Sequence, residues 1–205
     1  AWSNFVPNRH WVNAMEKNTD NTIKDDRYSV ILGPTEIHPE NGYQLPAVPP
    51  AGMTKTGYIV TKYWFMPPIQ NSGINAPILR YSEVLLNYAE ALNEKGKSED
   101  AMRLVNQVRI RAKLEPKSVN LSKELVLDAI FEERRFEFIW EPTGGFNDLN
   151  RRGRFIEFIK KNRPDFQELG IDAKPWLHTK PILFPIPTEA WTKNRALVQN
   201  PHYTF

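Results

Sequence analysis

The amino-acid sequence predicts a mainly α-helical protein with extensive loops and a few short strands. Three observations lead to this fold class: a pair of amphipathic helices at 78–114, a third long helix at 122–141, and loop-rich flanks at 1–77 and 142–205. The chain has 17 prolines, which fall mostly in the flanks. Proline favours extended or turn backbone, so long ordered loops are expected there.

A tight turn is predicted between the first two helices. Lys95 and Gly96 occupy the place where a helix commonly ends in a left-handed residue beside a cation. Ser98 is predicted to cap the second helix, with Glu99 and Asp100 in its positive first turn. Apolar residues recur with helical spacing on both helices: Leu85, Tyr88, Ala89 and Leu92 on the first, and Ala101, Leu104, Val105, Val108 and Ala112 on the second.

Small residues on both helices predict a tetratricopeptide-type hairpin. Ala89 and Ala101 let the two backbones approach closely. Such hairpins build scaffolds and docking surfaces, and they seldom carry active sites. The tetratricopeptide offsets are kept at Ala89, Leu92, Gly96, Ala101, Val105 and Val108.

The third helix begins with a cap signal and contains a dense charge cluster. Ser122 is the predicted cap, with an apolar contact between Leu121 and Val126 across it. Glu132 and Glu133 could form an acid/base pair, but adjacent helix positions point about 100° apart. Structural ion pairs are therefore favoured, Glu132 with Arg135 and Arg134 with Glu137, together with pairs to the hairpin at Arg80, Glu83, Glu90 or Arg109.

Weaker signals lie in the flanks. A short helix is predicted at His10–Lys17 and another around Arg154–Lys161, while Thr188 is a candidate cap for a last helical turn. A strand pair is predicted at Tyr28–Leu32 and Gly57–Phe65, because the second run is rich in β-branched and aromatic residues.

Composition excludes several classes of protein. The net charge is only +3, and the Lys and Arg residues are interspersed with acids and form no basic block. A nucleic-acid partner is therefore not expected. The chain has no cysteine for disulfides or thiolate chemistry, and no apolar run nears the ~18 residues of a membrane span. It opens on AWSNFVPNRHW without a signal-peptide pattern, so we expect a segment of a longer protein.

No catalytic or metal-binding constellation is evident. The four histidines are scattered without metal-ligand spacing, and nucleophile-elbow, phosphate-loop and dinucleotide motifs are missing from the sequence. Glu141 and Asp148 could ligate a cation, although two lone acids more often serve as caps or salt-bridge partners. We expect no catalysis, no metal and no cofactor.

Aromatic side chains concentrate in the first third of the chain and suggest a ligand surface. Aromatic faces on loops stack well on sugar rings or peptide side chains. The alternative is that these Trp and Tyr side chains fill the core beneath long loops. The candidate ligand-binding residues are Trp2, Trp11, Tyr43 and Trp64.

Five segments, in order, resemble one family, the SusD/RagB-like proteins. The first, RYSEVLLNYAEALNEKG, is similar to the family signature RYAEVLLMYAEALNE. The closing run FPIPTEAWTKNRALVQNPHY is similar to the family ending PIPxxExxxNPxLxQNPGY, except that His202 replaces its glycine. The usual EGHRWFDL is replaced by EPTGGFNDL. The five segments lie at Arg80–Gly96, Val105–Leu114, Ala129–Glu141, Asn147–Phe155 and Phe184–Tyr203.

The resemblance implies a non-catalytic, lipid-anchored protein on the outer face of a Bacteroidetes-type outer membrane. Such proteins capture oligosaccharide or peptide nutrients as the lid of a SusC-like TonB-dependent transporter. Family members are much longer, so residues 1–205 are expected to be a carboxy-terminal portion with a SusD-like fold, not an independent domain. The lipid anchor is then expected to lie outside this segment.

Two other functions stay open at this point. A helical-repeat module could bind a protein partner without any small ligand, although the chain shows one repeat only. A glycan-processing enzyme would need two carboxylates about 5–10 Å apart in a cleft.

Overall fold

The structure is a computed structural model that describes most of the helical part of the chain and parts of its flanks. No helix among these residues is long and apolar enough to cross a membrane. The described residues are 9–39, 42–48, 57–62, 77–141, 145–155, 157–158 and 185–200. The α-helices are α1 (Arg9–Asn13), α2 (Tyr81–Glu94), α3 (Ser98–Arg111), α4 (Lys123–Glu137), α5 (Phe146–Arg151) and α6 (Thr188–Lys193). A 3-10 helix spans Asp26–Val30, and the strands are β1 (Ile31–Leu32) and β2 (Ile59–Val60).

Helices α2 and α3 form the predicted hairpin. Ala89 and Ala101 are fully buried where the helices meet, which confirms their role in close packing. Gly96 has φ +75°, the left-handed conformation predicted for the turn. The predicted cap at Ser98 is wrong by one position, because Lys97 precedes the helix and its carbonyl accepts the amide of Ala101. The Ser98 hydroxyl instead donates to the side-chain oxygen of Asn93, at 2.7 Å.

Helix α4 packs against both helices of the hairpin. The predicted cap is confirmed, since the Ser122 hydroxyl accepts the amide of Leu125 at 3.3 Å. The helix ends at Glu137, earlier than the predicted 141, because Phe138 leaves the helical conformation and Trp140 has φ +58°. The apolar core consists of Leu86, Ala89, Leu92, Ala101, Met102, Val105, Val108, Val126, Ala129, Ile130 and Phe138.

The strand pair is shorter than predicted. β1 and β2 are antiparallel, with Ile31 opposite Val60 and Leu32 opposite Ile59. The segment before β1 is not a strand, because the Asp25 carboxylate accepts the amide of Arg27 and starts the 3-10 helix. Residues 63–65 of the predicted second strand lie outside the described residues.

The short helices near the two ends follow the predictions approximately. α1 is shorter than the predicted helix at 10–17, and residues 155, 157 and 158 are helical in the region predicted around 154–161. At α6 the predicted cap is wrong by one residue. The carbonyl of Pro187 accepts the amide of Ala190, so Pro187 is the cap and Thr188 is the first helical residue.

Candidate functional site

Two of the four aromatic residues predicted to bind ligand lie in the described part of the chain. Tyr43 is half-buried in a loop where its carbonyl accepts the amide of His38 at 2.7 Å. Trp11 is half-buried on α1 against helix α4. Trp2 and Trp64 lie outside the described residues. No contact tests a ligand role for these four residues, which stays a prediction.

Trp11 is fixed to the end of α4 by two contacts. Its indole N–H donates to the carbonyl of Arg135 at 3.2 Å, and its ring lies 5.2 Å from the ring of Phe136. The Arg135 guanidinium lies over the same Phe136 ring, 4.8 Å from its centroid. Trp11, Phe136 and Arg135 therefore form one packed unit, which places the backbone and side chain of Arg135.

A buried ion-pair network joins the first third of the chain to the helices. The Arg27 guanidinium lies 2.6 Å from Asp25, 2.6 Å from Glu133 and 3.4 Å from Glu137. These acids raise the pKa of Arg27 although burial opposes its charge. Arg109 of α3 contacts Glu133 at 3.5 Å, which confirms a predicted pair between α4 and the hairpin. Five charged residues thus compensate one another's burial inside the protein.

A second part of the network surrounds the end of α4. The Arg80 guanidinium binds the Glu137 carboxylate and, at 2.5 Å, the Glu137 carbonyl. Arg80 also contacts Glu141 at 2.8 Å, and Lys62 binds the same carboxylate. Burial lowers the pKa of Lys62, with Glu141 opposing the shift. These paired side chains form part of the lining of a cavity of about 320 Å³.

The ion pairs predicted within α4 are wrong. Glu132 pairs with Lys117 at 2.6 Å, and Arg134 contacts Asp148 at 2.7 Å and Asn87 at 2.7 Å. Asp148 reaches Arg134 on the buried face of α4, where pairing compensates the desolvation of each charge. Glu132 is exposed and pairs with Lys117 from the segment between α3 and α4. Glu133 is buried while Glu132 is exposed, so the two do not share a face, as their spacing predicts.

Asp148 and Glu141 serve as ion-pair partners. Asp148 accepts from Arg134 and, at 2.9 Å, from Arg151, while Glu141 is bound by Arg80 and Lys62. Within the described ranges, no group of three or more histidines or acids is placed to hold a metal ion.

An open groove of about 440 Å³ runs along the outer side of α4. Its volume lies in the ~300–1,000 Å³ range of small-molecule sites. Apolar side chains from α4, α5 and the segments on either side of them form much of its surface, and charged side chains from the same regions complete it. The lining residues are Lys117, Leu121, Leu125, Asp128, Ala129, Phe131, Glu132, Arg135, Leu149, Arg154, Glu157 and Phe158.

Sequence reasoning missed Arg27 and Asn93. Arg27 directly precedes the strand predicted at Tyr28–Leu32, in a charged run that gives no sign of an inward-facing side chain. Asn93 is fully buried; its side-chain amide donates to the carbonyl of Lys123 at 2.9 Å and its oxygen accepts from Ser98. An asparagine on the apolar side of a helix was the available signal, because such a residue needs buried partners.

Comparison with known proteins connects this fold to one family. The SusD family model matches residues 41–203. SusD-like protein P2 of Formosa agariphila is 33% identical over 140 residues, which cover 64% of this chain and 26% of that protein. SusD-like protein P38 of the same organism is 37% identical over 93 residues, covering 42% of this chain and 18% of that protein. The matches thus span about a quarter or less of these curated relatives.

Solved structures show the same fold. A SusD superfamily protein from Bacteroides vulgatus superposes with a TM-score of 0.70 at 25% identity, over 97% of this chain and 44% of that one. A SusD superfamily protein from Parabacteroides distasonis superposes with a TM-score of 0.56 at 22% identity, over 97% of this chain and 42% of that one. With the helical hairpin, the charged third helix and a family match over most of its length, this chain belongs to the SusD family.

Proposed function

We propose that the full-length protein captures glycan or peptide nutrients at the outer surface of the outer membrane without transforming them. In this proposal it acts as the lid of a SusC-like TonB-dependent transporter, and a lipid anchor outside this segment holds it to the membrane. The observation that carries the proposal is the family match over residues 41–203. Trp2, Trp11, Tyr43 and Trp64 remain the proposed aromatic contacts to the ligand.

The ion pairs of α4 and α5 support a binding role over an enzymatic one. A glycosidase needs an acid and a base or nucleophile whose carboxyl groups face one bond across a cleft. Glu133, Glu137, Glu141 and Asp148 are each bound by arginine within the protein. Burial opposes the charge of Glu137, but the hydrogen bond and charge of Arg80 outweigh it and lower the pKa of Glu137, so this carboxyl group is a poor proton donor.

A binding and cleavage assay tests this function. The full-length protein should bind members of a glycan and peptide array, and chromatography of a bound oligosaccharide after long incubation should recover it intact. Affinity purification from membranes should recover a TonB-dependent β-barrel protein. Cleavage of the oligosaccharide would overturn the non-catalytic role.

A protein-docking module is the second candidate function, and one observation favours it. Tyr81, Val84 and Tyr88 lie one helical turn or two apart on α2, and all three are more than half exposed. An exposed apolar stripe of this kind commonly marks a protein contact. This candidate is supported if the array yields no ligand while the transporter is still recovered.

A further inference from the structure

The groove along α4 has the features of a ligand site, and neither Trp11 nor Tyr43, the two described residues of the predicted aromatic set, lines it. We propose that this groove binds a neutral saccharide and that Arg135 is its main hydrogen-bonding anchor. The proposal rests on the proposed function and locates part of its ligand.

The shape and surface of the groove suit a small organic ligand. Leu121, Leu125, Phe131 and Phe158 supply apolar surface along its length. Leu125 is 54% exposed, so a large apolar side chain faces open space. Small-molecule sites generally combine such surface with a few polar groups that fix the ligand's orientation.

The charges of the groove balance. Three cations and three carboxylates line it, and most of them pair with each other. Lys117 contacts Glu132 at 2.6 Å, while Arg154 binds Asp128 and lies 3.5 Å from Glu157. An anionic ligand would meet three carboxylates here. A neutral ligand with many hydroxyl groups avoids that repulsion and can hydrogen-bond to both signs of charge.

Arg135 is the exception to this pairing. Among the residues that the structure describes, no carboxylate lies within ion-pair distance of it, and its buried Nε has no hydrogen-bond acceptor. Burial lowers the pKa of Arg135, and the nearby charge of Glu132 only partly opposes this. Its Nε is thus an unused donor beside a cavity, and adding an acceptor there is favourable because a buried polar group without a partner is costly.

The packing around Arg135 fixes the orientation of its side chain before a ligand binds. Its guanidinium lies over the Phe136 ring, and Trp11 packs on that ring while bonding to the Arg135 carbonyl. Ordering this side chain on binding therefore costs little entropy. Sugar hydroxyl oxygens accept hydrogen bonds from such a planar group, while the apolar C–H faces of a pyranose ring fit the leucine and phenylalanine surface.

Titration calorimetry with the full-length protein tests the proposal. The probes are the neutral malto-, cello-, laminari-, manno- and xylohexaoses, with hexagalacturonate as the acidic counterpart. The variants are Arg135→Gln, which removes the donors, and Leu125→Glu, which places a carboxylate in the groove. Glu is well accepted in the first turn of a helix, so Leu125→Glu should fold even if Arg135→Gln does not. Arg103→Gln is the control, because Arg103 is exposed on α3 and does not line the groove.

The expected result is that the wild-type protein and Arg103→Gln bind a neutral hexasaccharide equally. Arg135→Gln should weaken that binding at least about tenfold, the effect of losing a hydrogen bond to a charged group. Leu125→Glu should also weaken it about tenfold, because it removes apolar surface that would pack on the sugar ring. Unchanged binding by both variants would overturn the groove assignment and leave the proposed function standing. Binding of hexagalacturonate alone would overturn the neutral ligand, and binding of no saccharide would overturn the inference together with the glycan part of the proposed function.

Discussion

The guanidinium of Arg27 lies 2.6 Å from the carboxylate of Glu133, although the two residues are 106 positions apart in the sequence. Their side chains are only 7% and 2% exposed. This contact connects the loop-rich first third of the chain to the middle of α4. Arg27 also pairs with Asp25 and Glu137, so one guanidinium contacts three acids.

Replacing Arg27 should strongly destabilise the fold. Arg27→Met leaves Asp25 and Glu133 with less compensation for their burial, and breaking a buried pair in this way costs about 3–5 kcal/mol. Urea denaturation measures the loss. The matched control is Arg103→Met, since the Arg103–Glu99 pair is exposed and spans 3.8 Å, so less than about 1 kcal/mol is expected. Equal costs at the two positions would contradict a structural role for the buried network.

The stabilising effect of Glu137 should depend on pH. Burial opposes its charge, but the hydrogen bond from Arg80 and the charges of Arg80, Arg111 and Arg27 outweigh it and lower the pKa of Glu137 in the folded state. A carboxyl with a lowered folded pKa stabilises the fold above its unfolded pKa of about 4.3 and loses this effect as the pH falls through the folded pKa. The difference in free energy of unfolding between the wild-type protein and Glu137→Gln should therefore shrink below pH ~4.3.

Denaturation curves at a series of pH values from neutral to acid provide this measurement. Glu99→Gln is the control, because its carboxylate is exposed. A difference between wild type and Glu137→Gln that stays constant over the whole series would show that Glu137 is not stabilised as an ion.

Substituting Gly96 should cost stability through the backbone alone. Gly96 has φ +75°, and a side-chain Cβ there would meet nothing within 4 Å. Gly96→Ala should thus lower the free energy of unfolding by about 1–2 kcal/mol, the cost of a left-handed conformation for an ordinary residue. Gly96→Asn should cost less, since Asn tolerates this conformation better. Thermal and urea denaturation compare the two, and an equally stable Ala variant would refute the argument.

The side-chain amide of Asn93 should be essential to the junction of three helices. It donates to the carbonyl of Lys123 at the start of α4 and accepts from Ser98 at the start of α3. Asn93→Asp replaces a donor with a carboxylate facing a carbonyl, so we expect a loss of about 1–3 kcal/mol or more. Asn87→Asp is a useful comparison. Asn87 already accepts from Arg134 through its oxygen, so a carboxylate there keeps that contact. Denaturation that ranks Asn87→Asp below Asn93→Asp in stability would contradict this account.

The exposed face of α2 yields a prediction about the longer protein. We propose that residues outside this chain cover Tyr81, Val84 and Tyr88, because the relatives continue well beyond the matched region. The 205-residue chain should then bind a hydrophobic fluorescent dye more strongly than the full-length protein does. Replacing the three residues with serine should reduce dye binding to the short chain. Equal dye binding by both lengths would argue that the face stays open.

Much of the helical framework follows from sequence because its signals are local. The apolar stripes of α2 and α3, the left-handed turn at Gly96 and the cap at Ser122 depend on residues within one or two turns of each other. The family motifs are also local, and they occur along the chain in the same order as these helices. The predicted caps at Ser98 and Thr188 missed by one residue, since each helix begins at the predicted cap residue itself and the preceding backbone carbonyl accepts the first amide.

Contacts between distant segments were decided by the tertiary structure. The pairs predicted along α4 gave way to Lys117, Asp148, Arg80 and Arg27, because each charge pairs with whichever opposite charge the packing of distant segments brings to it. Local sequence signals specify the two hairpin helices, α4 and the family to which the chain belongs, whereas α5 was not predicted. The position of Arg135 beside a groove, with no carboxylate in ion-pair distance among the described residues, follows only from the packed structure. It depends on which side chains from distant segments meet in space.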